Sequence, residues 1–309
     1  MKRGFVLIST LALIVILSFL VLIIADIYGD TLKTTIYTNS VEKRIEIINY
    51  ESILIDSLID NNLLNKNLVL AEKEINFSIQ KKFPELTISI EDFSTCFNLN
   101  SLVQPFQNIN VKNEINGELF LNLLKLADVN KSQHNELLDR LYDALDDDSL
   151  PETYGAEDLF YIAQGNLSLS PDQLFIHKSQ IKNLALLNMK TLPKIYDDIC
   201  AIPTTELRFN VNSLNTTNIK VFLSLFPEIT LNEVERIILN KPLNGYNTYN
   251  NLLDITDIDT YKLDKSRIIF KPDFIMIKYL LNMEGQIFNF ISLLSLQRKN
   301  FVVYRTLSK

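Results

Sequence analysis

An apolar run from Phe5 to Ala25 follows the basic start Met1-Lys2-Arg3-Gly4, and only the hydroxyls of Ser9, Thr10 and Ser18 interrupt it. A helix of about 20 apolar residues crosses a bilayer. The run therefore commits the start of the chain to a membrane helix and leaves the remainder to fold beside the membrane. Positive charge precedes the run and none follows for several residues. That asymmetry predicts a cytoplasmic N-terminus, with everything from Asp26 onward outside the cytoplasm.

Three readings of this start compete. A secretory signal peptide has a shorter apolar core, about 7–15 residues, and a small-residue cleavage site; Ala25 lacks a partner for such a site. A plain signal anchor is the second. The third is a type IV pilin-like leader, cut on the cytoplasmic side after a glycine while the span stays with the protein. Arg3-Gly4-Phe5 fits that cut in residue type and position.

The chain has 309 residues, 47% hydrophobic and 22% charged, a globular rather than disordered composition with room for more than one domain beyond the span. The formal net charge is −7, and loss of Lys2 and Arg3 with a leader would make it −9 (−7 minus 2). An acidic ectodomain suits nucleic acid poorly. Two cysteines, Cys96 and Cys200, suggest one disulfide in an oxidising compartment, against two buried thiols.

Beyond Gly29, a possible break, Ile36, Val41, Ile45, Ile48, Ile55, Leu58 and Ile59 recur at roughly helical spacing. They predict an amphipathic helix that continues the membrane helix outward. Pro84 ends the helical region, and Leu86, Ile88 and Ile90 alternate with polar residues as in a strand. Leu119–Ala127 and Leu137–Leu145 carry helical stripes, and Ser170-Pro171 reads as a helix start. Strands return from Arg267, at Ile268–Phe270, Phe274–Tyr279 and Val302–Tyr304.

Phe97-Asn98-Leu99-Asn100-Ser101-Leu102 recurs as Phe209-Asn210-Val211-Asn212-Ser213-Leu214. The pattern predicts two similar corners in which an extended segment enters a helix, with the second Asn or the Ser capping its free N–H groups. After the second copy, Thr230 and Glu233 form a capping box for a helix from Leu231 to about Asn240, closed by Pro242 and Gly245. Tyr249–Leu253 is another short helix. This arrangement resembles a helix-hairpin-helix unit, but its Pro227-Glu228-Ile229 hairpin has neither the glycine nor the basic cluster that DNA binding needs.

Between the repeats, Asp143-Ala144-Leu145-Asp146-Asp147-Asp148 precedes Pro151 and then Gly155-Ala156-Glu157-Asp158. Carboxylates this dense repel one another and raise each other's pKa values. A hard cation with six to eight oxygen ligands relieves that repulsion, and Ca²⁺ suits such flexible sites. A solvated acidic loop is the alternative. His134 and His177 are the only histidines and lie in no metalloprotease or nucleophile spacing. Glu157 and Asp158 as an acid–base pair lack a recognisable pocket motif. No catalytic residue is assigned, and the chain is expected not to be an enzyme.

These elements resemble the type II secretion system minor pseudopilin K family over nearly the whole chain. The resemblance rests on Arg3-Gly4-Phe5, Cys96-Phe97-Asn98-Leu99-Asn100, Asp143-x-x-Asp146-x-Asp148 with Gly155-Ala156-Glu157-Asp158, Cys200-Ala201-Ile202-Pro203 and Phe209-Asn210-Val211-Asn212. Ala144 stands where the family usually has Trp. The family implies an α+β pseudopilin fold, a long N-terminal helix on a small antiparallel sheet. It also implies a large inserted α-helical domain with two calcium ions, and a helix-hairpin-helix-like segment.

The implied divisions are a leader over residues 1–4, a transmembrane segment over 5–25, and the stem helix and first strand over 26–95. The acidic helical insertion covers 96–205, the hairpin-like segment 206–261 and the closing strands 262–309. The implied calcium ligands are Asp143, Asp146, Asp148, Glu157 and Asp158, with Asp147 beside them. Cleavage falls between Gly4 and Phe5, and Phe5 becomes an N-methylated terminus. Most pseudopilins carry Glu as the fifth mature residue, where it neutralises a neighbour's terminal ammonium inside the low-dielectric bundle; here that residue is Ser9.

A subunit without that Glu has no neighbour above it to meet, which with the bulky insertion implies the filament tip. Implied partners are minor pseudopilins I and J, the other pseudopilins of the filament, a prepilin peptidase and inner-membrane lipid, with no nucleic acid. The implied location is the bacterial inner membrane, single-pass, with the bulk of the chain periplasmic. A minor pilin of a type IV pilus or DNA-uptake filament, and a membrane-anchored periplasmic hydrolase, are the alternatives.

Overall fold

A computed structural model describes residues 2–60, 68–81, 83–165, 170–184, 192–283, 285–296 and 301–308. The stem is one helix, Lys2–Asp60. Its apolar part, from Leu11 to Ile27, faces outward along its described length, and its mean hydropathy of 2.8 suits a membrane span. Gly4, Phe5 and Ser9 fall in its first turns, and their side chains lie outside the described residues. Ser18 donates to the Ile14 carbonyl at 2.8 Å, so a hydroxyl in the apolar stretch keeps a partner without water.

The helix does not break at Gly29. One glycine in a helix costs about 1 kcal/mol, too little to interrupt so long a helix. Nor is the inward face the one that the isoleucine spacing suggested. Ile36, Ser40, Ile47 and Glu51 are buried, whereas Val41 and Ile45 are exposed. The side chains of Ile55, Leu58 and Ile59 lie outside the described residues.

A second helix, Leu68–Gln80, leads through the turn at Pro84 into a four-stranded antiparallel sheet. The strands run in the order Leu86–Asp92, Phe274–Met283, Gln286–Ser295 and Phe301–Ser308. Leu86, Ile88 and Ile90 point into a core with Ile47, Ile79, Phe83, Ile277, Tyr279, Leu281 and Phe290. The outer edge of Leu86–Asp92 is occupied by side chains from the second helix. Asn76 accepts from Ile88 N at 2.8 Å and donates to Ile88 O at 2.6 Å, and Glu72 accepts from Ile90 N at 2.8 Å. Asn76 and Glu72, one turn apart, thus stand in for a neighbouring strand.

All of residues 93–273 is inserted between the first two strands of this sheet, which are themselves paired through Asp92 and Ile275. The insertion consists of two units built on one plan. In the first, Phe97–Asn98 pairs in parallel with Ile199–Cys200; in the second, Phe209–Asn210 pairs in parallel with Ile268–Ile269. Parallel partners need a crossover, and helices supply it. Glu114–Leu126 and His134–Leu145 lie within the first unit, and Ile219–Leu225, Leu231–Leu239 and Tyr249–Thr256 within the second. Thr230 and Glu233 form the expected capping box.

The two asparagines of each repeat divide the work differently from the expectation. Here the first asparagine caps. Asn98 accepts from Asn100 N, and Asn210 accepts from Asn212 N. Each opens a short 3-10 turn rather than an α-helix. The second asparagine reaches across its unit to tie two remote segments. Asn100 accepts from Phe175 N and donates to the carbonyls of Phe175 and Ile202. Asn212 accepts from Tyr246 N and donates to the carbonyls of Tyr246 and Phe270. Gly245 permits the second tie: its φ is +73°, and a Cβ there would stand 2.9 Å from the Asn212 amide.

The units share one apolar core, which runs from Phe97, Phe120 and Leu141 to Phe222, Val234 and Leu252. A disulfide joins Cys96 to Cys200 at the neck of the first unit. Asp92 pins the neck of the second, accepting from Ser94 N, Asn210 Nδ2 and Ser213 Oγ at 2.8, 2.6 and 2.6 Å.

Candidate cation site in the acidic loop

The acidic run begins where the His134–Leu145 helix ends, with Asp146 as its C-cap residue. The carbonyl end of a helix carries partial negative charge, so these carboxylates gather where the backbone least favours them. The structure sorts them into two groups.

The first group holds the loop together. Asp143 is buried, and its oxygens accept from Glu152 N at 3.0 Å and Ala156 N at 2.6 Å. Its carbonyl accepts from Ser170 Oγ at 3.0 Å. A Cβ on Gly155 would lie 1.9 Å from Asp143 Oδ2, so only glycine fits there. Asp147 accepts from Asn110 N at 2.6 Å and fastens the loop to the Val103–Lys112 hairpin. Asp158 accepts from Ser170 N at 3.0 Å. These bonds replace the helix expected at Ser170-Pro171: residues 170–175 have no helical turn, and Asp172 has a φ of +43°.

The second group converges. Oxygens of Asp146, Asp148 and Glu157 lie within 4.8 Å of one another. Asp146 and Glu157 are buried, each 5% exposed. Asp146 Oδ1, Glu157 Oε1 and Asp172 Oδ1 are buried without a hydrogen-bond partner. Burial first, then the neighbouring carboxylates, raises Asp146 to about 7 and Glu157 to about 8. Asp172 adds to the repulsion on both. Sequence reasoning missed it, because Pro171-Asp172 looked like the opening of a helix.

An all-oxygen, all-acidic donor set with orphaned buried oxygens suits a hard cation. A cleft of about 410 Å³, bordered by Val111, Lys112, Asp146, Asp148 and Pro151, gives access to it. His134 opens the His134–Leu145 helix, and His177 precedes a short turn. His134 Nε2 is 3.0 Å from the Val129 carbonyl, and His177 caps the turn at Lys178–Asn183.

Residues 95–204 match the family described as type II secretion system (T2SS), protein K. The chain is 28% identical over 160 residues to a putative type II secretion system protein K of Escherichia coli (strain K12), covering 52% of this chain and 49% of the relative. It is 25% identical over 199 residues to the Aeromonas hydrophila protein K, covering 60% and 58%. The matches thus span about half the length of these relatives. In fold it is similar to a chain from the crystal structure of the GspK-GspI-GspJ complex of enterotoxigenic Escherichia coli. The TM-score is 0.62 at 18% identity, over 72% of this chain and 80% of the other. Residues 95–204 thus match the type II secretion system protein K family, and about 72% of the chain is similar in fold to a chain of the GspK-GspI-GspJ complex.

Proposed function

We propose that this chain is a minor pseudopilin of the type II secretion system, seated at the tip of the pseudopilus. The observation that carries the reading is the build of the molecule. One helix runs unbroken from an apolar span to a small sheet, and residues 93–273 are inserted between two adjacent strands of that sheet. Apolar stems of this kind bundle inside a membrane or a filament, while their heads stay outside. A head enlarged by two helical units is tolerated most easily where no subunit follows above.

Cleavage between Gly4 and Phe5 by a prepilin peptidase leaves Ser9 as the fifth residue. Without a carboxylate there, this stem has nothing to pair with the ammonium of a later subunit in the bundle. The partners by this reading are the counterparts of GspI and GspJ, which accompany GspK in the related crystal structure, and then the other pseudopilins. The stem sits in the inner membrane with its N-terminus cytoplasmic, and the rest of the chain is periplasmic. Its role is structural, with calcium at Asp146, Asp148 and Glu157 as a stabilising ion and Asp172 as the neighbouring oxygen donor.

Two measurements test this. N-terminal sequencing of the mature protein should begin at a methylated Phe5. Site-directed crosslinking along assembled filaments should find the chain at one end only. A start at Met1 or near Ala25, or crosslinks along the whole shaft, would refute the proposal.

A further inference from the structure

Glu51 lies in the stem helix and is wholly buried, with 0% exposure, within an otherwise apolar contact between stem and sheet. One of its oxygens accepts from the Tyr279 hydroxyl on the second strand. The other accepts from Arg305 Nε at 3.1 Å and from Arg305 Nη2, on the last strand. Two turns earlier in the stem, the Arg44 guanidinium stands 5.8 Å from the ring centre of Phe290, on the third strand, and that ring stacks on Tyr279 at 4.5 Å.

The apolar residues of the stem do not select one docking position. Ile36 and Ile47 are buried, but Tyr37, Val41 and Ile45, at comparable spacing, are exposed. Rotating or sliding the stem would exchange one greasy stripe for another at small cost. The same movement would leave Glu51 buried away from its partners, and a buried charge stripped of its partner is strongly destabilising.

We infer that the Glu51–Tyr279–Arg305 cluster is a register lock, which fixes the height and rotation of the head on its membrane stem and ties the last strand, Phe301–Ser308, into the same fit. Arg305 is exposed while Glu51 is buried; burying one charge of a pair makes it a poor source of net stability, and the best-attested use of such buried polar groups is to specify register. The cluster is polar where packing alone would be ambiguous, and it reaches the stem and two strands of the sheet at once. This inference concerns the fit of stem to head and holds whether or not the chain caps a filament.

The test uses the full chain in nanodiscs, with spin labels at Tyr37→Cys on the stem and Asn282→Cys on the sheet. Both positions are exposed. In the parent, pulsed electron resonance should give one narrow distance. Arg305→Met alone should lower the melting temperature, because Glu51 then loses its charged partner. The triple variant Glu51→Leu, Tyr279→Phe, Arg305→Met should recover the melting temperature. Its distance distribution, however, should broaden or shift by several Å, since a slip of one helical turn moves the stem about 5.4 Å. A triple variant with the parent's narrow distance would overturn the inference, because packing would then set the register alone. So would a triple variant that fails to fold, because the cluster would then supply stability rather than specificity.

Discussion

Asp146 and Glu157 are carboxylates in surroundings that favour their protonated forms. Their ordinary values of 3.8 and 4.5 rise to about 7 and about 8, with burial as the leading cause and neighbouring carboxylates next. A carboxylate with a higher pKa in the folded state holds its proton more readily when folded, so stability falls as pH rises between the unfolded and folded values. For these two residues the loss begins near pH 4 and runs to about pH 8. In chelator, the melting temperature of the detergent-solubilised chain should therefore drop on going from about pH 5 to about pH 8. Calcium should flatten that slope, adding about 2.7 kcal/mol at a hundredfold excess over Kd. A slope identical with and without calcium would remove the cation from the site.

The sequence shows how dense these carboxylates are, and density is what suggests a cation. It does not show which backbone N–H groups return to meet them. Asp143 and Asp158, expected as ligands, have oxygens engaged by Glu152, Ala156 and Ser170. Asp172 adds its charge to Asp146 and Glu157 from a separate turn, whose approach is a tertiary fact.

At the scale of the element, the repeated Asn-x-Asn corner is a device for closing a helical unit. The first asparagine shapes a turn, and the second staples two distant strands of backbone to it. Asn100→Ala leaves a buried N–H and two carbonyls unmet and should cost at least about 2 kcal/mol, while Asn212→Ala leaves the equivalent groups half-buried and should cost about 1 kcal/mol or more, both read as a lowered urea midpoint. A measurable loss in both units would agree with their common plan; a neutral Asn212→Ala would argue against it.

Much of this level was legible. Leu86, Ile88 and Ile90 alternate cleanly because one face of their strand is buried, and Thr230 with Glu233 forms the expected cap. The strand Gln286–Ser295 was harder to see. Phe290 and Leu294 enter one core while Ile291 and Leu293 face another. Apolar residues on both faces erase the alternation that marks a strand. The cap, expected at the second asparagine or the serine, belongs to the first asparagine, because spacing shows a local cap and hides the second asparagine's contact with a segment dozens of residues away.

At the scale of the whole molecule, the core of the helical units and the core of stem and sheet are bridged at the neck by a small third cluster of Cys200, Ile202, Phe274, Met276 and Leu293. The Cys96–Cys200 bond closes the first unit there, beside the Phe97–Asn98 ladder. In the chain-entropy model, closing a loop of about 100 residues contributes up to about 4–5 kcal/mol. Replacing both cysteines with serine should lower the melting temperature and speed hydrogen exchange at Phe97, whose N–H bonds the Asp198 carbonyl. Exchange in the Leu86–Asp92 strand should change least, since that strand belongs to the other core. Uniform acceleration across both would mean that the neck does not separate them.

The blanked flank of the sheet has a consequence for how such a protein survives crowding. A stray extended segment arriving beside Leu86–Asp92 finds the N–H and carbonyl of Ile88 and the N–H of Ile90 already bonded by Asn76 and Glu72. To add itself there it must first peel away a helix, and an intruder that has to evict a resident before it can bind rarely starts a clump.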